Sequence, residues 1–352
     1  MPREETILPW EWTLRSRDLA VRGIANCIDE ATSPEETAVR IAVMGSGGIG
    51  GYLGARLAQA GEDVIFIARG SHLEPMQQKG LRVESPLGEI VLRHVNATET
   101  PADVGFVDMV VFAVKAYDTE SAAAAIVPLV GPATRVVTLQ NGVDSVDAVA
   151  RIVPRSQVVG GTTYLAALIE RPGVIVHLGS VTRVIVGGRD DAMIEAWRSA
   201  CVRTGGIDLE TVEDIDQMLW TKFVTVSAFS GATSLMRADV GRIFSDPHAR
   251  IFLEQLRDEG MAVASAAGHA MQDGYKEFAM SLWGKLPPET RSSMANDLAR
   301  GKPIELSWLS GRMHVLGNEL GVPTPGHTAV YRALHLYADG TEPSRQLRAG
   351  RP

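Results

Sequence analysis

The sequence contains few cysteines and no pattern of metal ligands. Cys27 and Cys201 are the two cysteines among 352 residues, and they lie far apart. An isolated pair supports neither a disulfide scaffold nor a zinc site, and it suits the reducing conditions of a cytoplasm. The eight histidines are scattered without the spacing of metal ligands. We therefore expect a cytoplasmic protein that holds no metal.

Long hydrophobic runs and an excess of positive charge are also missing. No uninterrupted apolar run exceeds six residues, a length reached over residues 109–114, whereas a membrane-spanning helix needs about 18. The formal net charge is -8, and proteins that bind nucleic acids normally carry a basic surface. We therefore expect neither a membrane nor a nucleic acid as a partner.

A glycine cluster directly follows a short β-branched run near residue 40. Residues 41–44 are typical of a buried strand, and Gly45, Gly47 and Gly50 follow in G-x-G-x-x-G spacing. These glycines allow a tight turn, close approach of a pyrophosphate, and packing of the next helix on its strand. The N–H groups at the start of that helix would bind the anion. The pattern predicts a dinucleotide site, and the alternative is a turn that binds no ligand. The predicted contact residues are Gly45, Ser46, Gly47, Gly48, Ile49 and Gly50.

The end of the second predicted strand, residues 64–68, indicates which dinucleotide is bound. An enzyme specific for NAD usually carries an acid there to bind the ribose hydroxyls, whereas an arginine fork suits the 2′-phosphate of NADP. This chain has Arg69 followed by Gly70 and Ser71, and no acid at the strand tip. We therefore predict NADPH as the cofactor, bound in part by Arg69. The alternative is a solvated arginine in a loop.

Strand and helix patterns alternate up to about residue 212. The run 107–114, apolar except for Asp108, is typical of a strand in a sheet that helices cover on both faces. Runs 174–178 and 182–187, on either side of Gly179 and Ser180, predict an antiparallel hairpin. From residue 213 helical periodicity replaces the strand patterns. The predicted fold class is α/β, a Rossmann-type doubly wound parallel sheet followed by an all-α domain.

These patterns divide the chain into four segments. We expect an NADP-binding Rossmann domain over residues 39–212 and a helical substrate and catalytic domain over residues 213–337. Residues 1–38 form an extension that we expect to be poorly ordered. It is interpreted either as a loosely docked helix or as a result of how the translation start site was chosen. Residues 338–352 are polar, with Gly and Pro, and predict a disordered tail.

Polar residues follow two of the predicted strands. Lys115 comes directly after run 107–114, and Asn141 follows the predicted strand 135–139. Ligands of open α/β sheets bind at the carboxyl ends of the strands. Lys115 is therefore expected to contact cofactor or substrate, and the amide of Asn141 to hold the nicotinamide or the substrate. The alternatives are an exposed loop lysine and an ordinary Asn-Gly turn.

Lys222 lies on the apolar stripe of the first helix after residue 212. It follows Ile215, Met218 and Leu219 at helical spacing and precedes Val226. Burial lowers the pKa of a lysine, which suits a general acid near neutral pH. The alternative is a side chain that extends to solvent at a domain seam. Glu305 begins a later helix, where an acid is also favoured by the helix dipole alone.

Taken together, these motifs resemble the ketopantoate reductase (2-dehydropantoate 2-reductase) family over about residues 40–335. The resemblance implies that NADPH donates a hydride to a 2-oxo acid bound between the two domains. The motifs that carry it, in chain order, are the glycine cluster, Val114-Lys115-Ala116, Gln140-Asn141-Gly142, Leu219-Trp220 with Lys222, Ser292-Ser293-Met294 with Asp297, and Glu305.

The resemblance also assigns roles to individual residues. It implies that Lys222 is the general acid and that Glu305 orients the substrate or the lysine. Asn141 and Lys115 would contact cofactor and substrate, and Ser293 would help to hold the substrate carboxylate. Arg69 would bind the 2′-phosphate.

The chain departs from the family one and two helical turns after Lys222. Family members carry asparagines that hold polar groups of the substrate, whereas this chain has Val226 and Ser230. Valine cannot form a hydrogen bond through its side chain, so only Ser230 remains as a polar substrate contact here. The expected substrate is 2-dehydropantoate or a related oxo acid, bulkier or less hydroxylated than 2-dehydropantoate.

Two other functions stay open at this point. One is a family paralogue that acts on a different ketone or hydroxy acid, or that joins an amine to a keto acid reductively. The other is an NADPH-binding sensor without catalytic activity. The sequence leaves the oligomeric state undecided, a homodimer included.

Overall fold

The computed structural model describes residues 38–340. The extension predicted over residues 1–38 therefore lies outside the described residues, apart from Ala38. The tail predicted over residues 338–352 lies outside them as well, apart from residues 338–340. Within that short stretch the carbonyl of Ala338 accepts a hydrogen bond of 2.9 Å from the backbone N–H of Ile304.

Strands and helices alternate over the first part of the chain. In chain order the elements are β1 Arg40–Met44, α1 Gly48–Gln59, β2 Asp63–Ile67, α2 Leu73–Lys79, β3 Leu81–Glu84, β4 Ile90–Leu92, β5 Asn96–Thr98, β6 Val107–Phe112, α3 Thr119–Ala125, β7 Val130–Thr138, α4 Ser145–Ala150, β8 Val158–Thr163, β9 Ala166–Arg171, β10 Val174–Leu178, β11 Arg183–Val186, α5 Ala192–Thr204 and β12 Asp208–Thr211.

Eight of these strands form one large sheet in the order β12-β11-β8-β7-β6-β1-β2-β5. The six strands from β8 to β5 are parallel to one another, and β11 pairs with β8 in the antiparallel direction. The chain crosses to opposite sides of β1 to reach β2 and β6, so the sheet is doubly wound. This confirms the predicted fold class.

The predicted hairpin of residues 174–178 and 182–187 is wrong. Strand β10 pairs with β9 and β3 in a separate four-stranded sheet of order β4-β3-β10-β9. Strand β11 pairs instead with β8 and β12 in the large sheet. The physical reason is β9, which gives β10 an antiparallel partner across the short turn Pro172-Gly173, so the Gly179-Ser180 segment connects two sheets.

The described chain has no further strand after β12 and continues as α-helices, with 3-10 turns at Leu306–Trp308 and His335–Tyr337. The α-helices are α6 Ile215–Leu235, α7 Val240–Ser245, α8 Pro247–Ala266, α9 Tyr275–Gly284, α10 Ser293–Ala299, α11 Ser310–Leu320 and α12 Pro325–Leu334.

The long helix α6 connects the two parts. Near its start, Leu219 is buried in the apolar cluster on one face of the large sheet. Further along, Phe223 and Val224 belong to the separate core of the helical part. One rigid helix of 21 residues therefore fixes the side chains on its middle turns relative to the carboxyl edge of the sheet.

The small sheet packs directly on the start of α1. A Cβ atom added at Gly48 would lie 2.1 Å from the carbonyl oxygen of Ala167 in β9, closer than any side chain tolerates. At Gly47 a Cβ would meet no atom within 4 Å. Of these two neighbouring glycines, the packing of β9 requires Gly48, whereas Gly47 lies beside open space.

We predict that Gly48→Ala destabilises the fold and that Gly47→Ala does not. The clash at residue 48 is with backbone, so relief requires movement of β9 at about 1–3 kcal/mol of unfolding free energy. Urea denaturation of both variants measures the difference. Equal stability of the two variants would contradict the packing of β9 on α1.

Candidate active site

The glycine turn lies between the carboxyl ends of β1, β2 and β6. The backbone N–H groups of Gly45 and Ser46 donate to the carbonyl of Ile67, at 3.3 and 3.2 Å. Gly45 has a φ of +96°, and a Cβ there would lie 2.8 Å from the backbone nitrogen of Val114. A Cβ at Gly50 would lie 2.3 Å from the carbonyl oxygen of Gly45. The first and third glycines are thus required by the turn itself.

The start of α1 is open to an anion. Its N-cap residue is Gly47, no side chain caps the helix, and its first turn contains no acidic residue. The first backbone N–H groups of a helix have no partner within the helix, and they attract negative charge. The observed turn fits the pyrophosphate of a dinucleotide at this point.

Arg69 is placed just beyond β2, as expected for a residue near the adenosine ribose. Its Nη2 donates to Oδ2 of Asp118 over 2.9 Å. Asp118 comes from the loop after β6, so its position beside Arg69 was not predicted. Ser71, the second polar residue expected here, is exposed.

Lys115 joins the sheet to the helical part of the chain. Its Nζ lies 2.9 Å from Oδ2 of Asp297 and 3.5 Å from Oε2 of Glu305. The other oxygen of Glu305 accepts a 3.0 Å hydrogen bond from the backbone N–H of Ala116. Burial lowers the pKa of Lys115, but the charges of Glu305 and Asp297 outweigh it and raise the pKa above its ordinary value. Lys115 therefore stays protonated.

Lys222 also points into the gap between the two parts. Its Nζ donates a 2.7 Å hydrogen bond to the carbonyl of Thr163 at the end of β8. The same ammonium lies 5.7 Å from the ring centroid of Tyr164, a distance typical of a cation–π contact. Burial lowers the pKa of Lys222 to about 8, although the charge of Glu305 opposes this shift. The hydrogen bond and the ring contact thus hold the half-buried Lys222 side chain in this gap.

A stripe of residues on α6 continues from Lys222. Val226 is half-buried and lies one turn further on, and Ser230 is buried after another turn. Thr233, at the end of the stripe, donates to Oγ of Ser292 over 2.9 Å. Ser292 caps α10, the helix that supplies Asp297. The stripe therefore runs from the lysine towards the helix that binds Lys115.

The remaining predicted residues occupy different environments. Asn141 is half-buried in the loop after β7. The next residue, Gly142, has a φ of +96°, and a Cβ there would lie 3.3 Å from the carbonyl oxygen of Trp308. The loop with Asn141 thus faces the turn that follows Glu305. Ser293 is exposed on the first turn of α10, whereas its neighbour Ser292 is buried. The substrate role of Ser293 stays a prediction.

Sequence reasoning missed four residues that contact the predicted site residues. Tyr164 and the carbonyl of Thr163 follow β8, and the argument that found Lys115 and Asn141 at strand ends applies to them equally. Asp297 was noted in the resemblance but given no role. No sequence pattern pointed to Asp118, because only the fold brings its carboxylate to Arg69.

Two negative findings apply to residues 38–340. This part of the chain contains no group of three or more His, Cys, Asp or Glu side chains placed to hold a metal ion. None of its helices has the length and apolar character needed to cross a bilayer.

Comparison with known proteins assigns the chain to a family. The model of the family "Ketopantoate reductase PanE/ApbA" matches residues 41–190, and that of its C-terminal domain matches residues 214–338. A 2-dehydropantoate 2-reductase of Archaeoglobus fulgidus is 33% identical over 309 residues, which cover 86% of this chain and 98% of the relative.

Solved structures agree with this result. A ketopantoate reductase of the same family from Ralstonia eutropha JMP134 has a TM-score of 0.78 and 30% identity, covering 85% of this chain and 98% of that one. For a 2-dehydropantoate 2-reductase from Geobacter metallireducens the TM-score is 0.79 and the identity 29%, with 85% and 99% covered. The predicted resemblance is confirmed. The chain belongs to the ketopantoate reductase family, whose members are NAD(P)H-dependent oxidoreductases.

Proposed function

We propose that this enzyme reduces a 2-oxo acid to the 2-hydroxy acid with NADPH, and that Lys222 is the general acid. The observation that carries the proposal is the position of the Lys222 ammonium. It lies at the carboxyl edge of the sheet, bonded to the carbonyl of Thr163, with a pKa lowered to about 8. An ammonium with such a pKa can both stabilise a developing alkoxide and give up its proton near neutral pH.

The residues around the glycine turn would hold the cofactor. The open N-terminus of α1 would bind the pyrophosphate, and Gly47 leaves room for it because a Cβ there would meet no atom within 4 Å. Arg69 would bind the 2′-phosphate, and Lys115 and Asn141 would contact the cofactor or the substrate. When bound there, NADPH would supply a hydride for the carbonyl carbon of the oxo acid.

The three charged groups between the domains would have separate tasks. Glu305 favours the charged form of Lys222, since its carboxylate partly opposes the effect of burial on the pKa. Lys115 stays protonated beside Glu305 and Asp297, so it presents a permanent positive charge to an anionic ligand. Ser293 and Ser230 are the proposed hydroxyl contacts of the substrate.

The α6 stripe supports an oxo acid with an apolar side chain. Val226 places two methyl groups one helical turn from Lys222 and offers no hydrogen bond. A substrate hydroxyl at this wall would lose its water without gaining a partner, which is unfavourable. We therefore propose a substrate less hydroxylated than 2-dehydropantoate. A sensor that only binds NADPH would not need the half-buried Lys222 ammonium at the end of β8, so its position favours an enzyme.

We predict that Lys222→Met lowers kcat by about a hundredfold or more, because the reduction loses its proton donor. NADPH affinity should change little. Steady-state reduction of a panel of 2-oxo acids, with separate titration of NADPH binding, measures both effects. Lys276→Met, at an exposed lysine of the helical part, is the matched control and should keep its activity. Unchanged turnover of the Lys222 variant would exclude the lysine from the mechanism.

We predict that kcat/KM falls as the pH rises through about 8, the pKa of Lys222. The protonated lysine is the active form of a general acid, and its fraction decreases tenfold per pH unit above the pKa. Glu305→Gln removes the charge that raises this pKa, so its profile should fall at lower pH. The measurement is kcat/KM from about pH 6 to about pH 10 for both proteins. Superimposable profiles would show that another group controls the rate.

We predict that Val226→Asn shifts specificity towards a hydroxylated substrate. The amide can bond the substrate hydroxyl, so the kcat/KM ratio of 2-dehydropantoate over its deoxy analogue should rise about tenfold. The analogue carries a methyl group in place of the hydroxymethyl group. Val315→Asn, at an exposed valine of α11, is the control and should leave the ratio unchanged. A ratio unaffected by Val226→Asn would show that residue 226 does not contact this part of the substrate.

A further inference from the structure

The fold brings a carboxylate to the strand tip where the sequence offers only an arginine. Asp118 lies six residues after the end of β6, yet its Oδ2 is 2.9 Å from Nη2 of Arg69 at the end of β2. The Arg69 side chain is 63% exposed and that of Asp118 is 31% exposed. Both charged groups can therefore be reached by a ligand from solvent.

The backbone position of Asp118 is fixed by its own loop. Its N–H donates to the carbonyl of Lys115 over 2.9 Å. The hydroxyl of Thr119 donates to the carbonyl of Ala116 over 2.7 Å, and it accepts from the amide of Gln140 over 2.8 Å. The Ala116 N–H in turn bonds to Glu305. Asp118 is thus presented by a hydrogen-bonded turn that is tied to the catalytic site.

The Arg69–Asp118 pair lies where the adenosine ribose is expected. The glycine turn bonds to the end of β2 through Ile67 and contacts the end of β6 at Val114. The two strand ends flank the pyrophosphate position, and residues just beyond β2 face the adenosine ribose in dinucleotide-binding sheets. A ribose bound beside Arg69 therefore also lies beside Asp118.

The two side chains suit different dinucleotides. A carboxylate accepts hydrogen bonds from the ribose hydroxyls of NADH, and a guanidinium binds the 2′-phosphate of NADPH. Arg69 uses Nη2 to bond Asp118, and a guanidinium has five N–H donors, so others remain for a phosphate. The same phosphate, however, would lie close to the negative charge of Asp118, which opposes its binding.

We propose that Asp118 is a determinant of cofactor specificity that enables the enzyme to use NADH as well as NADPH. Asp118 binds the ribose hydroxyls of NADH and weakens the binding of NADPH by repelling its 2′-phosphate. Arg69 has the opposite effect, because its guanidinium favours NADPH by binding the 2′-phosphate. This inference rests on the proposed function only in its assignment of the dinucleotide to the glycine turn.

Dissociation constants for NADPH and NADH test this proposal without a substrate. Asp118→Asn removes the charge but keeps an acceptor oxygen, so NADPH should bind about three to ten times more tightly. Asp118→Ala removes the acceptor too, and NADH should bind about ten times more weakly. Arg69→Gln should weaken NADPH about tenfold or more and leave NADH nearly unchanged. Quenching of protein fluorescence by each dinucleotide provides the measurement.

Glu120→Gln is the matched control, since Glu120 is exposed two residues further along the same segment. An equal effect of Glu120→Gln and Asp118→Asn on NADPH would show a general charge effect and overturn the proposal. It would also be overturned if Asp118→Ala left NADH binding unchanged. If the wild-type enzyme binds neither dinucleotide, this inference and the proposed function both fail. If both bind as expected but no oxo acid is reduced, only the proposed function fails.

Discussion

The carboxylate of Glu305 is the contact on which the arrangement of the site depends. It is only 4% exposed, and a carboxylate buried without partners would be strongly unfavourable. Its partners come from the other domain, the backbone N–H of Ala116 at 3.0 Å and the ammonium of Lys115 at 3.5 Å. These bonds satisfy the charge, and they also hold the loop after β6 against the helical domain.

The carboxylates of Glu305 and Asp297 explain why the pKa values of Lys115 and Lys222 shift in opposite directions. Lys115 has Glu305 and Asp297 within bonding distance, so its pKa is raised despite burial. Lys222 bonds to an uncharged carbonyl and feels Glu305 only as a weaker opposing charge, so burial prevails and lowers its pKa. Lys115 is thus held as a cation, whereas Lys222 is the lysine that releases its proton more easily.

Much of the fold was predictable because it depends on local patterns. The glycine turn follows from its spacing, and the doubly wound sheet follows from apolar strands that alternate with helices. Lys115 and Asn141 were found because every parallel strand ends at the same edge of the sheet. The hairpin prediction failed because strand pairing depends on distant partners. Strand β9, whose sequence Ala-Ala-Leu-Ile-Glu-Arg does not alternate between apolar and polar residues, was not recognised.

The parts of the site that could not be predicted are pairings between distant segments. Asp118 meets Arg69 across 49 positions of sequence, and Lys115 meets Asp297 across 182. Such pairs leave no spacing in the chain, because only the folded sheet and the packed helical domain bring them together. They place one carboxylate beside Arg69 and another beside Lys115. Residues at the strand ends can therefore be identified from the sequence, but the charge that each one finally presents to a ligand is decided by its partner in the fold.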